Sequence, residues 1–552
     1  MSAPHAVSGA QRLVDCLRAH GVSIVFGLPG VHNLPIWQAL AVSDIDLIGV
    51  RHEQAAVYAA DGYARATGRL GVAIVTSGPG AANTLAATGE AMASHSAVLV
   101  IATDIPQSLR TPGVYRGVLH ETRDQQAMFT PVTKSGRTIS EASEIDDAVA
   151  EMACHALADA QGPVYLGIPT DLLSHEVHAT KPLQPRSTSA PLVHEDLIAR
   201  AVDMLEAAER PLIWAGGGAL SAQAGPAIAD LAGRLAAPVL TTFMARGLLP
   251  RDHPCLVPGP VHDPAVGALW DKADLVLAIG TDFDGMMTQN WSMPPPRQLI
   301  NVNIDPADVS KNYIADIGLV GDARTVTETL LSQLNVARRI DDVHTELAVI
   351  AKTINATVLD DCPEAAQMLA ALDRVLPPTT VLVADMCIPG YWIGGYRQFS
   401  LPRTLQYPVG WGTLGFGFPA SIGAAAANAG PVVCIAGDGG FLFACGELAT
   451  LAETGLPLTV VLVDDGGYGM LRFDQLHAGQ TLFGVDLVRP DFSALASAFG
   501  ITVRAVDGFG NQFEDALTDA VAALEPRVVV VNVALTPPLT TSPRWYRRTQ
   551  PT

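Results

Sequence analysis

The sequence has little positive charge for its size. Its 552 residues include 34 lysines and arginines against 55 aspartates and glutamates, which gives a formal net charge of −21. A surface this acidic argues against nucleic acid and anionic membranes as binding partners, although it carries no information about the fold. We therefore expect neither nucleic acid nor a membrane among the partners of this protein.

The sequence also lacks a disulfide pattern and an uninterrupted apolar span. Its seven cysteines are dispersed without a Cys-x-x-Cys spacing, which predicts reduced thiols in a cytoplasmic protein rather than a disulfide framework or a zinc site. No basic segment followed by an apolar one opens the chain, so no secretory signal is expected. The uncharged run 411–437 is interrupted by glycine and proline, and it predicts a buried small-residue helix followed by a core strand.

Strand-like apolar runs alternate with helical stretches along most of the chain. This alternation predicts parallel sheets, and the length suits about three domains of 150 to 200 residues. We predict an α/β protein with three doubly wound parallel-sheet domains at 1–180, 190–345 and 365–552. A linker is expected at 181–187 and a second boundary near 352–367.

The segments 63–80 and 422–440 are built alike. Both run from a small-residue helix through a four-residue apolar strand to a glycine turn. The likeness indicates two related α/β domains, although unrelated α/β units also share such a pattern by chance.

Two acidic turns follow consecutive predicted strands near the end of the chain. The strand 432–436 delivers Asp438, and the strand 458–463 leads to Asp465, 27 residues further on. Carboxylate oxygens at neighbouring strand ends, with glycines that let the backbone approach, suit a Mg²⁺ ion that also holds a diphosphate. Gly-Asp-Gly alone also fits a tight turn, but the second acidic turn favours a metal site.

The first part of the chain has similar turns without the paired acids. Its predicted strands end at the loop 27–33, at Glu53 and at the turn Gly78-Pro79-Gly80. Strand ends of this kind line ligand crevices in open α/β sheets. Glu53 is a candidate catalytic carboxylate, and the alternative is that it caps the helix that follows.

These motifs resemble the signature of thiamine-diphosphate enzymes, which is Gly-Asp-Gly followed about two dozen residues later by Asn. Asp438 matches the Asp, Asp465 the closing Asn, and Gly467 the residue whose carbonyl binds the metal. Asp in place of Asn keeps an oxygen ligand but adds a negative charge beside the diphosphate. The resemblance covers nearly the whole chain, because Glu53, the Gly78 turn, residues 412–415 and the metal string occur in family order.

The resemblance implies a pyrimidine-binding first domain, a non-catalytic central domain and a diphosphate- and Mg²⁺-binding last domain. Glu53 is expected to bond the pyrimidine ring and drive deprotonation of the thiazolium C2. Leu414 is expected to wedge under the folded cofactor, with the backbone of Gly412 and Leu414 bonding the pyrimidine. The residues expected to contact the cofactor are Glu53, Gly78, Pro79, Asn83, Gly412, Thr413, Leu414, Asp438, Gly439, Gly440, Asp465, Gly467, Tyr468, Gly469 and Met470.

The substrate side of the site is predicted from two histidines and an apolar wall. His32 and His120 lie in loops that line the reaction centre in related enzymes, where either could move a proton; an isolated loop histidine is otherwise structural or solvated. Residues around His120 look like those of synthase-like decarboxylases of larger 2-oxo acids, such as 5-guanidino-2-oxopentanoate decarboxylase. The expected pocket residues are Val31, His32, His120, Met470, Leu471 and Phe473.

The function implied by the resemblance is non-oxidative decarboxylation of a 2-oxo acid, or cleavage of the bond beside a 2-oxo group, through a C2 carbanion and an enamine. The alternatives are an acetolactate synthase-type carboligase and, more remotely, a non-catalytic paralogue. A homodimer or a tetramer of dimers is expected, because in related enzymes Glu53 of one subunit faces the metal site of its partner. A glycine-rich turn after the strand of Trp214 could bind a nucleotide, although a lone glycine cluster is weak evidence. Separately, the resemblance to acetolactate synthases makes bound FAD possible but not favoured.

Overall fold

The computed structural model describes residues 6–158, 160–178 and 193–539. These residues form three parallel sheets of six, five and six strands, and the predicted α/β class is confirmed. Two short strands, β1 (Ala6–Ser8) and β8 (Glu176–His178), form an antiparallel pair; in the sequence, β1 precedes and β8 follows the strands of the first sheet. Within the described residues no helix is both long and apolar enough to cross a membrane.

The N-terminal sheet and the C-terminal sheet have the same strand order. Numbered along the chain within each sheet, both run 2-1-3-4-6-5, and every neighbouring pair is parallel. This shared order supports two related domains. The N-terminal strands are β2 (Ile24–Gly27), β3 (Asp46–Gly49), β4 (Gly71–Val75), β5 (Val98–Asp104), β6 (Ser135–Thr138) and β7 (Val164–Pro169), and the C-terminal strands are β14 (Val381–Ala384), β15 (Leu405–Gln406), β16 (Val432–Gly437), β17 (Leu458–Asp464), β18 (Thr502–Asp507) and β19 (Arg527–Asn532).

The central sheet runs 2-1-3-4-5 and is parallel throughout. Its strands are fully apolar or nearly so, as expected for a sheet covered by helices on both faces. The strands are β9 (Pro211–Ala215), β10 (Val239–Thr241), β11 (Leu275–Ile279), β12 (Leu299–Asn303) and β13 (Ile317–Val320).

Helices cover the sheets and connect their strands. Those of the first part are α1 (Gly9–Ala19), α2 (Leu34–Leu40), α3 (Glu53–Thr67), α4 (Pro79–Ala82), α5 (Leu85–Ala93), α6 (Gln125–Phe129) and α7 (Ile145–Leu157). Those of the middle are α8 (Glu195–Ala207), α9 (Gly217–Ser221), α10 (Gly225–Leu235), α11 (Pro264–Lys272), α12 (Ala323–Gln333) and α13 (Asp341–Asp361). Those of the last part are α14 (Pro363–Val375), α15 (Ile388–Tyr396), α16 (Gly417–Ala426), α17 (Asp438–Phe441), α18 (Leu448–Thr454), α19 (Gly469–His477), α20 (Phe492–Ala498) and α21 (Asn511–Ala522).

Two small-residue helices bring the terminal sheets together. α3 and α16 cross closely, because Gly62 faces the backbone of Ala420 and Gly423 faces the backbone of Ala59. One buried cluster includes both helices and residues from the N-terminal and C-terminal sheets. The predicted buried helix and core strand within 411–437 are thus confirmed as α16 and β16.

The predicted domain limits remain predictions. Each sheet lies inside one of the three predicted ranges, and the expected second boundary falls on α13 and α14, which are helical. The expected linker at 181–187 lies outside the described residues.

Candidate active site

Asp438 and Asp465 meet at the carboxyl ends of two hydrogen-bonded strands. β16 ends at Gly437 and β17 at Asp464, and the two strands pair in parallel register. Asp438 accepts hydrogen bonds from the backbone N–H of Gly439 at 2.8 Å and of Gly466 at 3.1 Å. Burial, and after it the charge of Asp465, raise the pKa of Asp438 to about 7. The two carboxylates therefore repel each other when both are charged, and the Arg472 guanidinium counters only part of this charge, at Asp465.

The turn around this pair fits a metal ion with a phosphate. Oδ1 of Asp465 is buried and has no hydrogen-bond partner among the described residues. A Cβ atom on Gly439 would lie 3.3 Å from the carbonyl oxygen of Gly467, and a Cβ atom on Gly469 would lie 2.2 Å from Oδ2 of Asp465. Two carboxylates and one carbonyl suit a Mg²⁺ ion that takes its other ligands from phosphate and water. Glycine is required where the chain passes so close to the ligand atoms.

The other predicted diphosphate residues surround the same turn. Gly440 lies directly after Gly439 in α17, and Tyr468 covers Gly439 with its ring. Met470 is half-buried at the start of α19. We call Asp438, Asp465 and Gly467 the metal half-site. In the described residues no cluster of three His, Cys, Asp or Glu side chains is arranged to hold a metal ion, and the metal half-site contains only two such side chains.

The loop 411–416 carries the residues predicted to bond the pyrimidine and to wedge under the cofactor. Gly412 and Gly415 have φ angles of +71° and +79°, a conformation that favours glycine. Thr413 and Leu414 between them are half-buried. Asp385, at the end of β14, accepts hydrogen bonds from the backbone N–H of Gly415 at 3.1 Å and of Phe416 at 3.2 Å.

Asp385 was not among the predicted site residues. It is fully buried, and burial raises its pKa to about 6. A Cβ atom on Gly440 would lie 2.5 Å from Oδ2 of Asp385, so Asp385 lies between the loop 411–416 and the turn that begins at Asp438. The signal that could have found it is an acid directly after a buried strand, the pattern that indicated Asp438.

Glu53 begins α3 and points toward the Gly78 turn. The residue is 9% exposed, and its Oε2 accepts a hydrogen bond from Nδ2 of Asn83 at 2.9 Å. A Cβ atom on Gly80 would lie 3.3 Å from Oε1 of Glu53. The cap of α3 is His52, whose side chain accepts from the N–H of Gln54. The alternative role for Glu53, capping the helix, is therefore not the one observed.

The Gly78 turn brings the two predicted histidines together through a serine. Ser77 is fully buried, its hydroxyl contacts Nδ1 of His32, and it lies 3.3 Å from Nδ1 of His120. The two imidazole rings are 5.3 Å apart between centroids. His120 adopts a φ of +67°, and its carbonyl lies over Gly78, where a Cβ atom would approach to 2.6 Å.

This arrangement constrains the protons of both rings. A hydroxyl group donates one hydrogen bond, so Ser77 donates to one imidazole and accepts from the other. Burial, and next the neighbouring His120, lower the pKa of His32. Sequence reasoning selected both histidines and missed Ser77, although it belongs to the same turn. We call Glu53, Asn83, His32, Ser77 and His120 the glutamate half-site.

The predicted pocket residues fall into two groups. One group lies in the first part of the chain, where Val31 next to His32 is 60% exposed. The other lies on α19, which has no fully buried residue and on which Leu471 is 50% exposed. Phe473 is half-buried on the same helix. In the described part of the chain, no hydrogen bond or ion pair joins the glutamate half-site to the metal half-site. Each group therefore exposes a large apolar side chain, Val31 in one and Leu471 in the other.

The central sheet has a separate cleft beside the glycine-rich turn that could bind a nucleotide. The cleft, of about 430 Å³, lies between the ends of its strands and the first part of the chain, near Gly217, Gly280 and Arg403. Gly216 and Gly218 are required by packing, because Cβ atoms there would lie 2.3 Å and 2.8 Å from the backbone of Gly280. Packing alone thus explains why glycine occupies these positions of the turn, and FAD binding remains a prediction.

The two terminal sheets have the same strand order, with the metal half-site at the end of one and the glutamate half-site at the end of the other. This arrangement is that of a cofactor-binding α/β enzyme. Residues 7–128 match the N-terminal TPP binding domain of thiamine pyrophosphate enzymes, residues 198–330 match their central domain, and residues 387–533 match their C-terminal TPP binding domain. The chain belongs to the thiamine pyrophosphate enzyme family. It is a thiamine-diphosphate-dependent enzyme, and the resemblance noted in the sequence is confirmed.

Relatives of two kinds share nearly the whole chain. A probable acetolactate synthase large subunit of Methanocaldococcus jannaschii is 33% identical over 94% of this chain and 91% of its own length. A probable 2-ketoarginine decarboxylase of Pseudomonas aeruginosa is 36% identical over 91% of this chain and 90% of its own. An acetolactate synthase large subunit of Parasynechococcus marenigrum is 34% identical over 91% and 83%. Synthases and a decarboxylase are thus about equally similar.

Proposed function

We propose that this enzyme is a Mg²⁺- and thiamine-diphosphate-dependent decarboxylase of 2-oxo acids. The observation that carries the choice of decarboxylation is the buried Ser77 hydroxyl between the imidazoles of His32 and His120. Decarboxylation must end by returning a proton to the carbon that lost carbon dioxide, whereas a carboligase needs a second carbonyl compound there. A connected pair of imidazoles at the Gly78 turn, which Glu53 also faces, is suited to hold and deliver that proton.

The metal half-site would anchor the cofactor. Asp438 and Asp465 offer carboxylate oxygens and Gly467 a carbonyl oxygen to Mg²⁺, which would bind the diphosphate in turn. Bound there, thiamine diphosphate supplies the carbanion chemistry that breaks the bond beside a 2-oxo group. The positive ion would also offset the repulsion between Asp438 and Asp465, which contributes to the raised pKa of Asp438.

Glu53 would act on the pyrimidine ring. Its carboxyl group is nearly buried and is oriented by Asn83, so it can hold a proton at a ring nitrogen without competition from water. The loop 411–416 would present its backbone groups and Leu414 to the same ring.

The complete site is proposed to form between two copies of the chain. The hydrogen bonds of Glu53 stay within the first part of the chain, and those of Asp438 stay within the last part. A dimer in which the glutamate half-site of one copy faces the metal half-site of the other joins both sets and covers the exposed side chains of Val31 and Leu471. A tetramer would pair two such dimers.

A substrate panel tests decarboxylation. The purified protein is loaded with thiamine diphosphate and Mg²⁺ and given pyruvate, 2-oxobutanoate, benzoylformate and 5-guanidino-2-oxopentanoate, while carbon dioxide, aldehyde and acetolactate are measured. We expect carbon dioxide and aldehyde in equal amounts from at least one acid larger than pyruvate. Acetolactate from pyruvate as the dominant product would contradict the proposal.

The second candidate is an acetolactate synthase-type carboligase. It is favoured by the named synthases among the relatives, which match as much of the chain as the decarboxylase does. The same panel separates the two functions, because a carboligase releases one carbon dioxide for two pyruvates and no free aldehyde. The 2-ketoarginine decarboxylase among the relatives is the reason for including the guanidinium-bearing acid.

A further inference from the structure

We propose that Glu90 and Glu447 are reciprocal positioning residues, each of which holds the cofactor-facing backbone at the opposite terminal sheet. Glu90 lies on α5, after the Gly78 turn of the N-terminal sheet. Glu447 lies just before α18, after the metal turn of the C-terminal sheet. The inference rests on the proposed function only in assigning the held segments to cofactor binding.

Glu90 holds the loop 411–416 from the N-terminal side. Its Oε2 accepts hydrogen bonds from the backbone N–H of Trp411 at 3.0 Å and from the hydroxyl of Thr413 at 3.3 Å. The indole of Trp411 lies on Gly89, where a Cβ atom would approach the ring to 2.3 Å. Glu90 thus fixes both neighbours of Gly412.

The second oxygen of Glu90 is held by the first part of the chain. Oε1 accepts hydrogen bonds from the hydroxyl of Ser94 at 2.9 Å and from a guanidinium N–H of Arg65 at 3.4 Å. Arg65 is itself paired with Asp61 at 2.7 Å and donates to the carbonyl of Tyr407 at 3.1 Å. Because Glu90 is fully buried, this cation compensates a charge that burial would otherwise disfavour.

Glu447 holds the turn that precedes Glu53 from the C-terminal side. Its Oε1 accepts hydrogen bonds from the backbone N–H of Arg51 at 2.9 Å and of His52 at 3.1 Å. The hydroxyl of Thr450 lies 2.5 Å from Oε2 of Glu447 and 3.2 Å from the carbonyl oxygen of Gly49, and its single proton is donated to the nearer carboxylate. Glu447 is 1% exposed, and burial raises its pKa. The contact fixes the two residues directly before the catalytic glutamate.

The two contacts solve the same physical problem. Each held segment is a turn, in which the backbone N–H groups are not paired by a regular strand or helix and need another acceptor. A carboxylate that comes from the opposite sheet satisfies them and fixes the segment relative to the close crossing of α3 and α16. Both cofactor-facing segments are then in place before the cofactor binds, which lowers the ordering cost of binding.

Hydrogen exchange of the cofactor-free full-length protein tests the reciprocal pattern. In Glu90→Ala we expect the amide of Trp411 to exchange about five- to tenfold faster, with residues 51 and 52 unchanged. In Glu447→Ala we expect the amides of Arg51 and His52 to exchange faster by a similar factor, with Trp411 unchanged. A substitution at one terminal sheet is therefore expected to change amide exchange in the segment at the other terminal sheet.

Two matched control variants each remove a contact that lies next to a proposed positioning bond and leave that bond in place. Glu453→Gln removes an exposed ion pair to the side chain of Arg51, and Ser94→Ala removes a bond to the other oxygen of Glu90. Both should leave the exchange of the held segments within about twofold of the wild-type rate. Glu90→Gln keeps an acceptor oxygen and should restore slow exchange. If an alanine variant does not fold, Glu90→Asp or Glu447→Asp takes its place with the same expected pattern, because the shorter side chain cannot reach the backbone.

Unchanged exchange at the held amides in folded variants would overturn the proposal. Equal acceleration of both segments in each variant would also overturn it, because that is the result of general loosening. Binding and turnover supply the functional readout. Glu90→Ala should raise the dissociation constant of thiamine diphosphate about tenfold with Mg²⁺ present, whereas Glu447→Ala should lower kcat more than it weakens binding. If the wild-type protein binds no thiamine diphosphate, the proposed function fails while the exchange pattern still tests the positioning role.

Discussion

Replacing Gly423 with alanine should separate the two helices that join the terminal sheets. The Cβ atom of the new side chain would lie 1.8 Å from the backbone carbonyl oxygen of Ala59, whereas ordinary contact begins at 3.4 Å. The atom it meets belongs to a helix backbone and cannot rotate away. The helices must therefore part by about 1.6 Å, which opens the buried cluster on both sides of the crossing.

Overpacking of this kind costs about 1 to 3 kcal/mol, and we expect the upper part of that range because no side-chain rotation relieves the contact. The assay is urea denaturation followed by circular dichroism. Gly233→Ala in α10 is the matched control, since no atom of the described residues lies within 4 Å of its new Cβ atom, and it should stabilise the protein by about 0.5 to 1 kcal/mol. A Gly423→Ala variant as stable as the wild-type protein would refute the close crossing.

Three further predictions concern single side chains. Glu53→Gln should lower kcat for carbon dioxide release by about 10²- to 10⁴-fold with little change in unfolding temperature, and an unchanged rate would refute the catalytic role. Asp438→Asn should weaken Mg²⁺-dependent binding of thiamine diphosphate about tenfold or more in calorimetry, and equal affinity would contradict the metal half-site. Burial lowers the pKa of His262 from its ordinary value of 6.5. The unfolded chain therefore binds more protons as the pH falls through 6.5, so the folded protein loses stability in that range. His262→Gln should remove part of this loss in thermal melts across the same pH range, and an identical pH dependence would contradict it.

Much of the fold and the centre of the candidate site follow from the sequence. Apolar runs that alternate with helical stretches predict the parallel sheets, since strands buried on both faces need no polar alternation. Asp438 and Asp465 could be placed together because the strands before them are consecutive, and β16 and β17 are indeed neighbours. Local signals of this kind depend on residues close together in the chain.

The contacts between distant segments could not be predicted in the same way. Glu90 meets Trp411 across 321 residues, and Glu447 meets Arg51 across 396. Each glutamate lies near the start or middle of an ordinary helical stretch, where an acid is usually solvated. The contacts of Ser77 could not be predicted for a related reason, because they depend on two loops that follow different strands.

The central claim is that Glu53 and Asp438 act at one cofactor from two copies of the chain. It is tested by mixing two variants, Glu53→Gln and Asp438→Asn, each of which should be nearly inactive alone. After subunit exchange, verified by native mass spectrometry, half of the dimers are mixed and each has one intact site, so about a quarter of the wild-type carbon dioxide release should return. No recovery in verified mixed dimers would contradict the account, because a site contained in one chain would be damaged in every copy.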